Sequence, residues 1–315
     1  MQHYQECVAL GSMVGLSLVS SAPQPEIDAV YHRLWRSIFL FERRFSRFLP
    51  DSELSTFNRA AGMKQAVSQE FHDLLVAARE LALETNGLFN PFVLPALQAS
   101  GYLHSRVPGH EQDTIDDYSD RSVTTINQLE IGDGWARIPY GTALDLGGCG
   151  KGYLADQLRN QIPNAVTGYW LSFGGDLAIG GKSPNGGLWT VGIQSASDLG
   201  ENAGTLTLRG PETYGVATSG TMIHRGKTSS RAWHHIIDPR THKPAKTDVL
   251  LATAVSSSAL RADVLASCAV ILGSEQGLVF LKTHEVKAAM LQYRKGQAVR
   301  TVHFGNGIII GAAHA

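Results

Sequence analysis

Short clusters of glycine, carboxylate and hydroxyl residues interrupt this chain from residue 144 onward. The densest spans 144–153 and reads Leu-Asp-Leu-Gly-Gly-Cys-Gly-Lys-Gly-Tyr, and three others lie at 216–220, 234–241 and 261–267. Glycine allows sharp turns and close approach of the backbone to a ligand. A lysine, aspartates and hydroxyls at such turns add nothing to a hydrophobic core. The pattern therefore predicts a fold whose turns bring several distant segments to one binding site.

The chain is helical first and strand-rich from about residue 125. Helices are expected after Pro25, after the capping serines Ser68 and Ser258, and after Gly152. Strands are expected at 8–20, 128–131, 170–179, 189–194, 204–208, 250–256, 288–293 and 299–304. Because strands and helices do not alternate regularly, the pattern favours an α+β fold, with mixed or antiparallel sheets flanked by helices, over a doubly wound sheet.

Composition limits the class of protein. The 315 residues, 43% apolar and 17% charged, suit a single folded domain over 1–315 with room for two subdomains. The polar stretch 105–120 is expected to be a surface loop. A net charge of −1 offers no basic surface for nucleic acid, and three cysteines argue against a disulfide framework.

No apolar run is long enough for a transmembrane segment. The first residues also lack the basic region of a leader peptide. The expectation is a cytoplasmic protein; the alternative is a periplasmic or inner-membrane-anchored protein whose leader is missing.

The glycine-rich cluster at 144–153 is suited to an anion. Its glycines let backbone N–H groups approach a phosphate, a helix starting after Gly152 would direct its positive end there, and Lys151 could pair with the charge. The spacing matches neither a P-loop nor a dinucleotide-binding fingerprint. The alternative interpretation is a glycine-rich turn between a strand and a helix.

Asp263 and Ser267 are the candidate ligands of a hard cation. They lie four residues apart, on one face of the helix expected after Ser258. Their oxygen atoms suit Mg²⁺, which keeps waters and ligand phosphates as its other ligands. Alternatively, Asp263 is a solvated or capping carboxylate.

Three further segments have both functional and structural interpretations. In Trp233-His234-His235, one histidine could contact an aromatic ligand or act as a base, or the segment is an ordinary strand end. Thr218-Ser219-Gly220 could approach a ligand closely, or form a plain turn. Phe89, in the turn after Gly87, could stack on a flat ring or pack in the core.

In order and in combination, these segments resemble the ApbE-type FAD:protein FMN transferases. The resemblance covers nearly the whole chain, and the glycine-lysine cluster and the Asp-Pro-Arg-Thr run are its most specific parts. Its motifs lie at 10–13, 45–48, 52–54, Asn58, 85–91, 144–153, 173–176, 216–220, 234–241 and 262–267.

The resemblance implies an ApbE-like (T-fold-like) architecture and a Mg²⁺-dependent enzyme that binds FAD as substrate. It would cleave the pyrophosphate, release AMP and attach FMN to a Ser or Thr of an acceptor protein. The FAD contacts it implies are Met13, Phe48, Leu88, Phe89, Asn90, Asp145, Lys151 and Ile237. Metal ligands would be Gly148, through its carbonyl, Asp263 and Ser267, whereas Asp176, Ser219 and His235 match positions near the ligand.

Several positions depart from the family pattern. Ser267 stands where Thr is usual, Asn90 where Asp is usual, Phe48 where a hydroxylated aromatic is common, and His242 where Gly is usual. None removes a metal ligand. Asp263, His235 and Lys151 are the candidate catalytic residues, with His235 or Asp145 as the base. Two alternatives use the same site: a Mg²⁺-dependent FAD pyrophosphatase and a flavin-binding protein without turnover.

Overall fold

The structure is a computed structural model that describes residues 1–103, 124–209, 212–223, 225–227 and 232–310. The expected surface loop 105–120 lies outside these residues. The described helices are α1 Gln24–Phe45, α2 Glu53–Arg59, α3 Gln69–Glu84, α4 Leu94–Ser100, α5 Gly150–Arg159, α6 Ala259–Leu272 and α7 Ser274–Thr283, with a 3₁₀ turn at Ile126–Gln128. Among the described residues, none of the helices combines the length and the apolar character needed to span a bilayer.

The strands of the principal sheets fall in two groups. The larger group has eight strands: β1 Gln2–Ala9, β2 Ser12–Ser20, β6 Val166–Phe173, β7 Asp176–Gly181, β10 Tyr214–Gly220, β15 Val249–Ser256, β16 Ala288–Lys295 and β17 Ala298–Gly305. A smaller set is β8 Trp189–Gln194, β9 Asn202–Leu208 and β18 Ile308–Ile310. Short strands complete the fold: β3 Gln65–Ala66, β4 Glu130–Gly132, β5 Trp135–Arg137, β11 Arg225–Lys227, β12 Ala232–His234, β13 Ile237–Asp238 and β14 Lys243–Pro244.

One antiparallel sheet of eight strands organises the molecule, in the order β1-β2-β6-β7-β10-β15-β16-β17. Alternate residues of each strand point to opposite faces. On one face, residues such as Leu16, Leu171 and Phe173 join the helices in the main core. On the other face, β8 and β9 cover the middle of the sheet, where Leu206 packs against Met290. The α+β prediction with antiparallel sheets and flanking helices is thereby confirmed.

Two expected strands are hairpins instead. The segment 8–20 turns at Leu10 and Gly11, both with positive φ, so that β1 pairs with β2. The segment 170–179 turns at Gly174 and Gly175, with φ of 68° and 105°, a conformation that favours glycine. In both cases the apolar residues on either side of the glycines match one continuous strand, although the glycines themselves were the available turn signal. The strand expected at 128–131 exists but begins two residues later, as β4, because a 3₁₀ turn precedes it.

The helix predictions are closer. Ser68 accepts a hydrogen bond from the Phe71 N–H at 3.3 Å, and Ser258 accepts one from the Arg261 N–H at 3.1 Å, as N-caps do. Helix α1 begins at Gln24 with proline in its first turn. Helix α5 begins at Gly150, two residues before the expected start, so Lys151 lies inside its first turn.

Candidate active site

A cavity of about 670 Å³ opens where the ends of β2, β7 and β10 meet the first turn of α5 and the middle of α6. Lys151, Asp176, Ser219 and Asp263 line one end of it. Arg47, Phe48, Tyr102 and Asp145 line another part. Segments far apart in the chain therefore share one site, as the distribution of the clusters predicted.

Helices α5 and α6 are fixed against each other next to this cavity. Asp156 of α5 accepts hydrogen bonds from Ser258 Oγ at 2.6 Å and from the Ala259 N–H at 3.0 Å, which caps α6. A Cβ on Gly152 would lie 2.6 Å from the Leu260 Cα. Only glycine allows this approach, and it places Lys151 beside α6.

The glycine-rich turn before α5 is anchored on the opposite side. The Asn58 side chain donates to the Leu144 carbonyl and accepts from the Leu144 N–H, each at 2.9 Å. Beyond this turn, the Lys151 Nζ lies 3.2 Å from the position that a Cβ atom on Gly174 would occupy. The lysine therefore reaches across the cavity to the β6–β7 turn.

Two buried carboxylates share the Lys151 end of the cavity. Asp263, on α6, is 5% exposed, and Asp176, at the start of β7, is 8% exposed. Burial and then the charge of Asp176 raise the pKa of Asp263 well above its usual value, while Lys151 and the Gly152 N–H lower it in part. Burial likewise raises the pKa of Asp176 to about 6, against the opposing effect of Lys151.

One oxygen of this pair has no hydrogen-bond partner among the described residues. Asp263 Oδ2 is buried and accepts no hydrogen bond from any residue that the structure describes. A buried carboxylate oxygen normally finds a partner, because leaving it unsatisfied is costly. An unsatisfied oxygen beside a second carboxylate is typical of a site that a cation completes.

Hydroxyl groups lie next to the carboxylates. Ser219 Oγ and Ser267 Oγ are 2.7 Å apart and join β10 to α6. Ser267 is one turn from Asp263 on the same helix, as predicted from their spacing. The substitution of Ser for the usual Thr therefore keeps a hydroxyl in place.

A different arrangement holds Asp145. Its Oδ2 accepts from Arg47 Nε at 2.9 Å, and its Oδ1 accepts from the Gly147 N–H at 2.9 Å. The Arg47 guanidinium also stacks 4.1 Å from the Phe48 ring centroid and 4.7 Å from that of Tyr102. This carboxylate is thus paired on both oxygens, and its arginine is fixed between two rings.

The aromatic turn after α3 has a structural role as well as a place in the site. Asn90 accepts from the Phe92 N–H at 3.0 Å and donates to the Thr124 carbonyl at 2.9 Å. The Phe89 ring is 8% exposed, belongs to the main core and also lines the cavity. Phe89 therefore packs in the core, and its stacking on a flat ligand ring stays a prediction.

The two adjacent histidines differ. His234 Nε2 lies 3.1 Å from the Ala245 carbonyl, whereas His235 lines the cavity with its ring 6.4 Å from that of Tyr102. Asp238 is held by two hydrogen bonds from the Arg240 side chain, at 2.9 and 2.8 Å, which fixes the turn after Ile237. His242 has a φ of 55°, which explains why glycine is usual there.

The structure brings together nearly all the predicted site residues. The following line the cavity: Phe48, Leu88, Phe89, Asn90, Asp145, Gly148, Lys151, Ser219, His235, Ile237, Asp263 and Ser267. Met13 does not belong to that lining; it follows Ser12, which does, and its own side chain is 52% exposed.

Two residues of the cavity, Arg47 and Asp176, have no role that the sequence predicted. Arg47 was noted only as part of a motif, and Asp176 only as a position near the ligand. A basic residue directly before an aromatic one was the available signal for Arg47. The approach of Asp176 to Asp263 depends on sheet pairing between distant strands, which no local pattern reports.

The donors at the carboxylate end fit Mg²⁺. Two carboxylates and two hydroxyls provide only oxygen, the ligand that Mg²⁺ prefers, and Asp263 Oδ2 is available. Across the described part of the chain there is no group of three or more His, Cys, Asp or Glu suited to a metal ion. A cation here would thus need ligands from water and from a bound phosphate, as Mg²⁺ commonly does.

Comparison with known proteins gives consistent results. A protein named FAD:protein FMN transferase from Klebsiella pneumoniae (strain 342) is 26% identical over 88% of this chain and 85% of its own length. One of the same name from Escherichia coli (strain K12) is 26% identical over 82% of this chain and 75% of its own. These relatives are enzymes.

Solved structures share the fold. The flavinyl transferase ApbE of Pseudomonas stutzeri superposes with a TM-score of 0.78 at 22% identity, over 98% of this chain and 95% of its own. The ApbE protein of Thermotoga maritima gives a TM-score of 0.81 at 21% identity, over 95% and 96%. The ApbE family model matches residues 10–291, and this chain therefore belongs to the ApbE family.

Proposed function

We propose that this chain is a Mg²⁺-dependent enzyme that transfers FMN from FAD to a Ser or Thr hydroxyl of an acceptor protein and releases AMP. The activity named for the relatives supports it. The observation that carries it is the buried Asp263, one oxygen of which has no partner among the described residues. It lies beside Lys151 and the serine pair, in one cavity with the expected flavin contacts.

In the reaction, the acceptor hydroxyl oxygen attacks the phosphorus of the FMN half of FAD. The bond from that phosphorus to the bridging oxygen breaks, and AMP leaves with the electron pair. The hydroxyl proton passes to a base. Such a transfer needs positioning and charge neutralisation more than covalent help from the protein.

The residues of the cavity divide these tasks. Lys151 pairs with the pyrophosphate, and the first-turn amides of α5 add donors from the positive end of the helix. Asp263, Ser267 and the Gly148 carbonyl would hold Mg²⁺. When bound, the ion would neutralise negative charge on the phosphate oxygens.

His235 is the better of the two candidate bases. It lines the cavity, and an imidazole can take a proton near neutral pH. Asp145 is already engaged on both oxygens by Arg47 and the Gly147 N–H. We therefore assign Asp145 to positioning Arg47 and the glycine-rich turn.

The flavin ring system has an aromatic and apolar region available. Phe48, Leu88 and Ile237 line the cavity beyond the carboxylates, and Phe89 contributes the edge of the main core. Flat rings bind such surfaces by stacking and burial of apolar area. We place the isoalloxazine ring there and the phosphates at Lys151.

The test is incubation with FAD and Mg²⁺, with and without a co-expressed candidate acceptor flavoprotein. Transfer predicts a fluorescent flavin band on the acceptor in a denaturing gel, with AMP released in proportion. Free FMN at equal rate in both samples, with no band, would indicate a pyrophosphatase. Bound FAD with no AMP at any metal concentration would indicate a binding protein without turnover.

A further inference from the structure

The face of the large sheet opposite the main helices is only partly covered. The small sheet packs over β7, β10, β15 and β16, where Leu177, Val216 and Met290 form a shared core with Ile193. Trp170 of β6 packs at the border of this core, and residues of β1 and β2 on the same face lie beyond it. There Tyr4 and Val8 are 50% and 52% exposed.

This uncovered part forms a flat strip. Gly15 has no side chain, and a Cβ there would lie 2.9 Å from the Tyr4 hydroxyl. The Tyr4 ring can therefore lie across β2 and stack on Trp170, with ring centroids 6.4 Å apart. Ser172 follows on β6, on the same face as Trp170.

Strand β8 borders the strip. Within the described residues β8 pairs with β9 alone, so its other edge has no strand partner. A second cavity of about 300 Å³ lies between that edge and the large sheet, lined by Trp170 and Ser172 on one side and Thr190 to Ile193 on the other. The two-layer structure thus has room for one more strand next to β8.

The second cavity leads to the active site. Gly175, Gly192 and Thr218 line both cavities. Trp189, at the far end of β8, donates to the Gly180 carbonyl at 3.2 Å, whereas Gly192 and Gln194 face the catalytic cavity. An extended segment placed along β8 would therefore point one end at Asp176, the first residue of β7.

We propose that the acceptor protein binds here as an added strand, pairing an extended segment with the free edge of β8 so that its Ser or Thr hydroxyl enters the catalytic cavity. This inference rests on the proposed function and names where the protein substrate binds. Strand addition gives affinity through main-chain hydrogen bonds, and side-chain pockets give selectivity. None of the described residues that line the second cavity is charged, so the segment should carry small uncharged side chains beside its hydroxyl.

The test fills the second cavity without touching the first. Ser172 lines only the second cavity, so Ser172→Arg should block the added strand and Ser172→Ala should leave its space open. Val279→Arg is the control, since Val279 is 65% exposed on α7, away from both cavities. The probe is the acceptor flavoprotein that the gel assay labels, with the FAD dissociation constant measured alongside.

We expect Ser172→Arg to raise the KM for the acceptor by roughly tenfold or more, the effect of losing a few main-chain hydrogen bonds. FAD affinity should stay within about twofold for all three variants, and Ser172→Ala and Val279→Arg should label normally. In a second measurement, the acceptor should slow hydrogen exchange of the amides of 190–194 in the unchanged chain.

Three results would overturn the proposal. The first is an unchanged KM in Ser172→Arg together with unprotected β8 amides. The second is a dimer of this chain, seen by light scattering, that Ser172→Arg converts to monomer, because the edge would then serve a second copy. The third is no labelling by the unchanged chain while FAD still binds, which would overturn the proposed function and this inference with it.

Discussion

Asp145 and Asp263 occupy the same cavity, yet their surroundings differ in kind. Both oxygens of Asp145 are satisfied, by Arg47 at 2.9 Å and by the Gly147 N–H at 2.9 Å. Asp263 is 5% exposed, faces a second carboxylate, and leaves Oδ2 without a partner among the described residues. One carboxylate completes a structural contact, whereas the other keeps an oxygen for which the described residues supply no partner.

The two ends of the cavity therefore differ: at one, both oxygens of the carboxylate are paired, and at the other, buried charges repel each other. The Arg47 end, with its stacked rings, is fixed before substrate binds. At the Asp263 end, two neighbouring buried carboxylates lower the stability of the metal-free fold. A cation bound there would remove that cost, so the same repulsion would strengthen cation binding. Removing the Arg47–Asp145 pair should therefore lower the free energy of unfolding, whereas neutralising a carboxylate at the other end should raise it in the metal-free protein.

The largest effect is expected at Asp263. Asp263→Asn keeps the shape but removes the charge that would attract the cation, and we expect transfer to fall on the order of a hundredfold or more, as when a preorganised electrostatic group is lost. FAD should still bind through its rings. The measurement is AMP release against Mg²⁺ concentration, and near-normal release at low Mg²⁺ would remove Asp263 from the metal site.

Removing the Arg47–Asp145 pair at the other end of the cavity should lower the free energy of unfolding. Arg47→Ala leaves Asp145 buried without its partner, and both side chains are nearly inaccessible, at 5% and 12%. We expect a loss of about 3 kcal/mol in the free energy of unfolding, measured by urea titration. Arg44→Ala is the control: its pair with Glu70 is exposed, 43% and 33%, and should contribute under about 1 kcal/mol. Equal losses of unfolding free energy in Arg47→Ala and Arg44→Ala would mean that the buried pair stabilises the fold no more than the exposed pair does.

Asp176→Asn should stabilise the metal-free protein. The folded pKa of Asp176 is about 6, above its ordinary value of 3.8, so its contribution to stability is lost as pH rises through that window. Asparagine does not titrate, so the gain over wild type should grow from pH 4 to 6 and reach about 1–3 kcal/mol at neutral pH. Thermal unfolding in EDTA measures it, with Asp133→Asn, in an exposed turn, as control. A destabilised variant would mean that the carboxylate is already satisfied.

The smallest of these effects concerns Lys151. Lys151→Ala should weaken FAD binding by roughly tenfold, the loss of one charge-assisted hydrogen bond. The unfolding temperature should change little at about pH 5, where the Asp176 and Asp263 carboxyls, with their raised pKa values, do not need the charge of Lys151. Fluorescence titration of FAD gives the affinity, and Lys182→Ala, an exposed lysine, is the matched control. Unchanged affinity with a sharp fall in stability would assign Lys151 a structural role instead.

Local patterns predicted some of this site and could not predict the rest. The capping serines and the helix of Asp263 and Ser267 depend on neighbours in sequence, and they were confirmed. The helix α5 was also expected, but it begins two residues earlier than predicted. The hairpin turns at 10–11 and 174–175 were missed, because the apolar residues on both sides of the glycines matched one continuous strand. The approach of Asp176 to Asp263 requires β7 and β10 to pair and α6 to pack on them. Such long-range packing leaves no trace in a single local window.

The most direct test of the contrast between the two carboxylates is Mn²⁺ binding in the presence of FAD, followed by the loss of the free-ion electron paramagnetic resonance signal. Mn²⁺ shares the preference of Mg²⁺ for oxygen ligands. We expect one ion per chain in the unchanged protein and in Asp145→Asn, and binding at least about tenfold weaker in Asp263→Asn. Equal Mn²⁺ affinity in the unchanged protein and Asp263→Asn, or loss of the ion in Asp145→Asn alone, would contradict the assignment of the cation to the Asp263 end.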